Sequence, residues 1–232
     1  MLRLILTLPY RSGALRKRYD GLVTASRRGR QAEAARNDLI VLAAAREVFA
    51  AQGADAPVSA VASRAGVGVG SLYRRYGSKD DLLRELCLLA LRQSVSLAEL
   101  SLQSADAWEG LAGYIREAVA QGTGALAPLA GSIATTPEMW STSRRGRELL
   151  GMLVQRAQAA GTLRADVTPL DIAHLIEMFG RLGPASSGDE SPEHAIRLRL
   201  LTIALDGLRA ETAASPLLGA PPTAAHYEAR WA

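Results

Sequence analysis

The 232-residue sequence predicts an all-α protein, on three observations. Leu and Ala dominate an apolar fraction of 48%, β-branched residues are sparse, and proline falls between periodic segments instead of inside them. Ala and Leu favour helix, whereas sheets draw on β-branched and aromatic residues, and aromatics make up only 5% here. The apolar content is enough to fill the core of one or two domains.

The elements follow in order. Residues 1–35, with "RSGALRKRYDGLVTASRRGR", read as a basic extension without fixed structure. An arm lying on nucleic-acid phosphates or in a minor groove, and a start codon set too far upstream, are the alternatives. From Asn37, "NDLIVLAAAREVFAAQG" spaces Ile40, Ala44, Val48 and Ala51 as a helix, with Asn37 or Asp38 as cap and Gly53 as stop. "VSAVASRAG" is a two-turn helix opened by Pro57, with Val58, Val61, Ala62 and Ala65 inward and Gly66 ending it. The next helix starts near Gly68 and keeps Leu72 and Tyr76 on one face. Ser78 caps another, with Asp81 in the capping-box position and Leu82, Leu83, Leu86, Leu89 and Ala90 as its buried stripe. Asp106 caps a helix to Gln121 carrying Trp108, Leu111, Ile115 and Val119. A shorter helix is expected over 125–134. Pro137 begins a long helix that Gly161 ends, and Thr168-Pro169 begins one carrying Ile172, Leu175, Ile176 and Phe179. After the loop "GPASSGDES", Ser191-Pro192 opens a last helix carrying Ile196, Leu200, Ile203, Ala204 and Leu208. The Ala/Pro-rich stretch 211–232 is expected to lack fixed structure.

Charge is distributed unevenly. Residues 1–100 carry 16 Lys+Arg against 9 Asp+Glu, a net of +7; residues 101–232 carry 11 against 14, a net of −3. A basic front suits a polyanion-binding module. The single cysteine, Cys87, excludes an internal disulfide and suits a reducing cytoplasm. His174, His194 and His226 have no partners at metal-ligand spacing, so no metal or other cofactor is expected. "MLRLILTL" is too short, and lacks the small-residue cleavage site, for a signal peptide. No run reaches the roughly 18 apolar residues of a membrane span.

"AGVGVGSLYRRYGSK" (65–79) decides between two uses of glycine. A dinucleotide fingerprint needs G-x-G-x-x-G after a buried strand, but Gly66, Gly68 and Gly70 give G-x-G-x-G behind a helical pattern. A Walker loop needs a closing Gly-Lys-Ser/Thr, which is absent. A nucleotide-binding enzyme therefore loses on context, and no acid/base constellation accompanies it. A helix-turn-helix fits each position: Gly66 turns the chain, Val67 plugs the helix junction, and 68–76 is the second helix. Leu72 and Tyr76 then face inward, leaving Val69, Ser71, Tyr73 and Arg75 toward solvent or a groove, with Lys79 at the next helix start.

The run "RNDLIVLAAAREVFAAQG…VSAVASRAGVGVGSLYRRYGSKDDLL" resembles the DNA-binding domain of TetR-type transcriptional regulators, over about residues 36–84 without a gap. The resemblance implies that Ser71 and Tyr73 contact DNA, Tyr73 through its hydroxyl on a phosphate. It places Gly68, Val69 and Gly70 at the groove, Arg75 and Ser59 at contact positions, and Lys79 on a phosphate. Gly68 stands where a polar cap is usual, Val69 where polar or basic groups are common, and Tyr76 where Phe is usual. The implied fold is an N-terminal three-helix DNA-binding domain (36–83) and a larger helical effector-binding and dimerisation domain (84–210). The last two long helices, about 169–182 and 192–210, would form a four-helix interface in a homodimer. Such a dimer would bind double-stranded operator DNA and be released by a small effector. Trp108, Tyr114, Met139, Trp140, Met152, His174, Met178 and Phe179 are the effector-site candidates by residue type, and few charges among them point to an apolar or aromatic ligand. A non-specific or architectural DNA binder using the basic leader is the remaining alternative.

Overall fold

The computed structural model describes residues 27–129, 131–180, 192–212 and 215–230. Residues 1–26 of the expected extension, and the loop 183–191, lie outside them. Nine α-helices are described: α1 Arg27–Gln52, α2 Val58–Ala65, α3 Val69–Tyr76, α4 Lys79–Ser101, α5 Ala107–Ala120, α6 Pro137–Ala159, α7 Pro169–Gly180, α8 Pro192–Leu208 and α9 Ala224–Ala229. Among the described residues the only extended pairing is one isolated bridge, Leu163 with Arg209.

The boundaries have local causes. Ser78 Oγ accepts the Asp81 N–H at 3.0 Å, Asp106 that of Glu109 at 2.8 Å, and Thr136 that of Met139 at 3.2 Å. Each bond satisfies an amide that the helix itself leaves free. Gly66 closes α2 with φ 68°, donating to Ser63 O at 3.2 Å while Val67 donates to Ala62 O at 3.0 Å. That is a Schellman motif, which needs the left-handed region that glycine enters without cost to a side chain.

Two apolar clusters organise the chain. The first joins α1, α2, Leu72 of α3 and the front of α4 with Leu126, Leu129, Ile133 and Met139. The second joins the rear of α4 with α5, α6, α7 and the inward face of α8. An expected domain border at 83/84 therefore falls within α4, which gives Leu82 to Ala90 to one cluster and Leu97 and Ala98 to the other.

Several expectations are corrected. α1 already runs from Arg27, so residues 27–35 are helical and Asn37 and Asp38 lie inside the helix. Of the four spaced residues, Ala44 and Val48 are buried and Ile40 and Ala51 exposed, and Val41, Leu42, Ala45 and Phe49 complete the buried face. The expected helix over 125–134 is a 3-10 segment at Thr123–Leu129. Its backbone is pressed onto α7: a Cβ on Gly124 would stand 2.7 Å from Glu177 Cα, and one on Gly180 would stand 2.8 Å from Gly124 Cα. Only paired glycines allow that approach. In α8, whose inward face the spacing had left open, Arg197, Leu201 and Leu205 are buried, Ala204 and Leu208 pack on the second cluster, and Ile196, Leu200 and Ile203 stay outside. The stretch after 211 is also ordered where described: a 3-10 turn at Ala210–Thr212, a chain held at residues 215–217, and α9, capped by Thr223.

Candidate nucleic-acid interface and effector cavity

The first site is built by the α2–turn–α3 unit. Leu72 is 3% exposed and anchors α3 in the first cluster. Tyr76, half-buried beside it, is a core residue as its spacing predicted. Its hydroxyl finds no hydrogen-bond partner among the described residues, and burial together with the nearby Asp38 carboxylate pushes it up to about 12. With those two residues inward, Val69, Gly70, Ser71, Tyr73, Arg74 and Arg75 are exposed, and so is Ser59 of α2. Tyr73 is 48% exposed.

The start of α3 carries no side-chain cap: Gly68 is extended, at φ −75° and ψ 140°. Ser71 N–H already donates to Gly68 O at 2.9 Å, which leaves the Val69 and Gly70 amides for an outside acceptor, and a Cβ on Gly70 would meet nothing within 4 Å. Helix N-terminal amides with their partial positive charge bind phosphate oxygens readily. Lys79 is the first residue of α4, half-buried, with Nζ 6.0 Å from the Phe49 ring centroid. Two arginines behave differently from one another. Arg74 donates to Ser71 Oγ at 3.0 Å and stays on the open face. Arg75, expected to face a groove, is exposed but ion-paired with Asp38 of α1.

The second site is a cavity of about 160 Å³ between α4, α5, α6, α7 and the 3-10 segment. Of the eight candidates, Tyr114, Met139 and Trp140 line it. The other five lie elsewhere. Trp108 is buried in the second cluster beneath the Arg209 guanidinium, 4.5 Å from its ring centroid. Phe179 is core as well, and Met152 and Met178 point outward. His174 sits behind the wall, donating from Nδ1 to Leu170 O at 2.7 Å and accepting from Arg230 at Nε2 at 3.3 Å. Residue type alone cannot separate wall from core, because both want large apolar groups.

The wall residues missed by the sequence reading include Ser94, Glu177 and Tyr227. Ser94 shares a 2.9 Å hydrogen bond with the Tyr114 hydroxyl. Glu177 is ion-paired with Arg230 at 2.9 Å, and Tyr227 arrives on α9. Thr223 three residues before His226, after two prolines, is the cap signature that could have revealed α9. Cys87 also lines the cavity, and burial pushes its thiol up to about 12, so it holds no thiolate near neutral pH.

A third feature links the two sites. Arg46 of α1 donates to Gln121 O at 2.7 Å and to Gln93 Oε1 at 2.7 Å. Gln121 leads directly into the 3-10 segment, whose Thr123, Gly124, Leu126 and Ala127 are cavity wall.

Comparison with known proteins gives the same picture. Residues 41–86 match the family described as bacterial regulatory proteins of the tetR family. Residues 106–210 match the C-terminal domain described as transcriptional regulator SbtR-like. Among solved structures, a TetR transcription regulatory protein from Mycobacterium vanbaalenii is 30% identical over 77% of this chain and 98% of its own, with a TM-score of 0.53. The TetR regulator SCO0520 from Streptomyces coelicolor is 24% identical over 74% and 98%, also at 0.53. The ketosteroid regulator KstR2 of Mycobacterium tuberculosis is 21% identical over 81% and 97%, again at 0.53. No curated protein matches. Among the described residues, no helix is long and apolar enough to cross a membrane.

Proposed function

Because the chain belongs to the TetR family of bacterial regulatory proteins and is a DNA-binding transcriptional regulator, we propose that it acts in the cytoplasm as a homodimeric repressor released by a small apolar ligand. The observation that carries the DNA reading is α3: Leu72 and Tyr76 lock it inward, and Val69, Gly70, Ser71 and Tyr73 are left facing out behind the Gly66 turn. α3 would enter the major groove. The Tyr73 hydroxyl, the Lys79 ammonium and the uncapped amides after Gly68 would hold phosphates, and Ser59 would contact the flanking backbone. Val69 offers only apolar contact, such as to a thymine methyl. Base reading would rest on Ser71 with Arg74 beside it, on Arg75 if it leaves Asp38, and on the shape of the duplex.

One such head is too small for tight specific binding, and α8 supports a dimer. Ile196, Leu200 and Ile203 recur at helical spacing as a solvent-facing apolar stripe, and Met178 of α7 is exposed as well. Two copies of α7 and α8 would pack as four helices about a two-fold axis, placing two reading heads one helical turn apart. Ligand binding in the cavity would shift α4 and the Arg46 tether together, changing that separation. A coupling of about 1–3 kcal/mol would alter operator affinity roughly 5- to 150-fold.

The test of the DNA face uses two variants of the full chain on a selected operator. Lys79→Ala should weaken binding to every duplex and lower the salt slope by about 0.9 per subunit. Arg75→Ala should change which bases matter. Wild-type binding by both variants would contradict this face. Salt-dependent binding of any duplex, with no preference, would favour the architectural alternative.

A further inference from the structure

Residues 215–230 lie beyond both stretches matched by the family comparisons, yet one of them, Tyr227, lines the cavity. The strap is pinned at its start, where Arg164 donates to Ser215 O at 2.7 Å and the Leu217 N–H donates to Asp166 at 2.9 Å. Its end is pinned by two ion pairs, Arg147–Glu228 at 2.8 Å and Arg230–Glu177 at 2.9 Å. Between them the Tyr227 ring is clamped by guanidinium groups of Arg147 and Arg230, 5.7 and 5.5 Å from its centroid. His174 meets it edge-on at 6.1 Å.

Resting on the effector reading above, we propose that Tyr227 sets the size limit of the cavity, restricting it to a neutral compound of about one aromatic ring. A volume of about 160 Å³ is close to the roughly 150 Å³ apolar cavity that takes benzene. Glu177, the charged residue of the cavity wall, is largely buried and already paired with Arg230, so a charged ligand that drew on either group would leave the other without its partner. The Ser94–Tyr114 hydroxyl pair offers a hydrogen bond to a ligand hydroxyl. Phenol and 2-naphthol are therefore the probes, sharing one head group and differing by a ring.

Calorimetric titration of the full chain should show phenol bound at least about tenfold tighter than 2-naphthol, within the range by which an apolar pocket discriminates size. Tyr227→Ala should reverse the preference, since it opens the wall and leaves both ion pairs in place. Tyr227→Phe should preserve it. The same preference in wild type and Tyr227→Ala would overturn the size limit and leave the effector cavity standing. Binding of neither probe by either protein would overturn both.

Discussion

Ile203→Asp is the substitution that most sharply separates a dimerising α8 from a solvent-facing one. Ile203 is 63% exposed in the single chain, on the stripe with Ile196 and Leu200. Fully burying an isoleucine contributes about 1.5–3 kcal/mol, so covering this remaining surface contributes about 1–2 kcal/mol per copy. A two-fold interface counts the residue twice, giving about 2–4 kcal/mol, or roughly a 30- to 700-fold rise in the dimer dissociation constant on its loss. The aspartate adds the cost of burying a charge, so this is a lower bound. Sedimentation equilibrium across a concentration series measures the shift directly. Circular dichroism should remain helical, since the side chain supports no core within one chain. An unchanged dimer would refute the assignment of the interface to α8.

Other consequences concern packing, coupling and pH. Gly180→Ala places a methyl against the Gly124 backbone, so it should lower stability by about 1–3 kcal/mol, read as a fall in thermal midpoint. Arg46→Ala removes both bonds from α1 to Gln93 and Gln121; operator binding should persist while ligand-induced release shrinks, measured by fluorescence anisotropy with and without effector. Asp166 is held well below the usual carboxylate range by the Arg164 guanidinium and then the Leu217 amide. Its anchoring of the strap is therefore fully present above the ordinary aspartate pKa of about 3.9 and is lost only as pH falls through the lower folded value. Asp166→Asn should loosen the strap at neutral pH, seen as faster amide exchange over 215–230, and remove this part of the acid dependence.

How much was legible differs by element, for physical reasons. The α2–Gly66–α3 unit was readable because φ 68° at Gly66 and the Leu72/Tyr76 spacing are local requirements. The phase of α1 was readable only in part, at Ala44 and Val48: "LIVLAAA" is apolar all round, and packing against α2, α4 and the 3-10 segment decides that Val41 and Leu42 go in while Ile40 stays out. The inward face of α8 was not legible either. The helix is apolar on two faces, one for its own core and one available to a partner, and periodicity cannot tell them apart. The cavity was half-readable, since Tyr114, Met139 and Trp140 look no different in sequence from Trp108 and Phe179. Its closing residue, Tyr227, depends on ion pairs between residues more than 50 positions apart, Glu177–Arg230 and Arg147–Glu228, which no local pattern records.

Sequencing the genomic fragments retained by purified protein at physiological salt tests the central claim most directly. Two α3 helices related by a two-fold axis predict an enriched pseudo-palindrome with half-site centres about 34–36 Å, one helical turn, apart or a multiple of it. Retention of fragments without a common sequence would contradict the account.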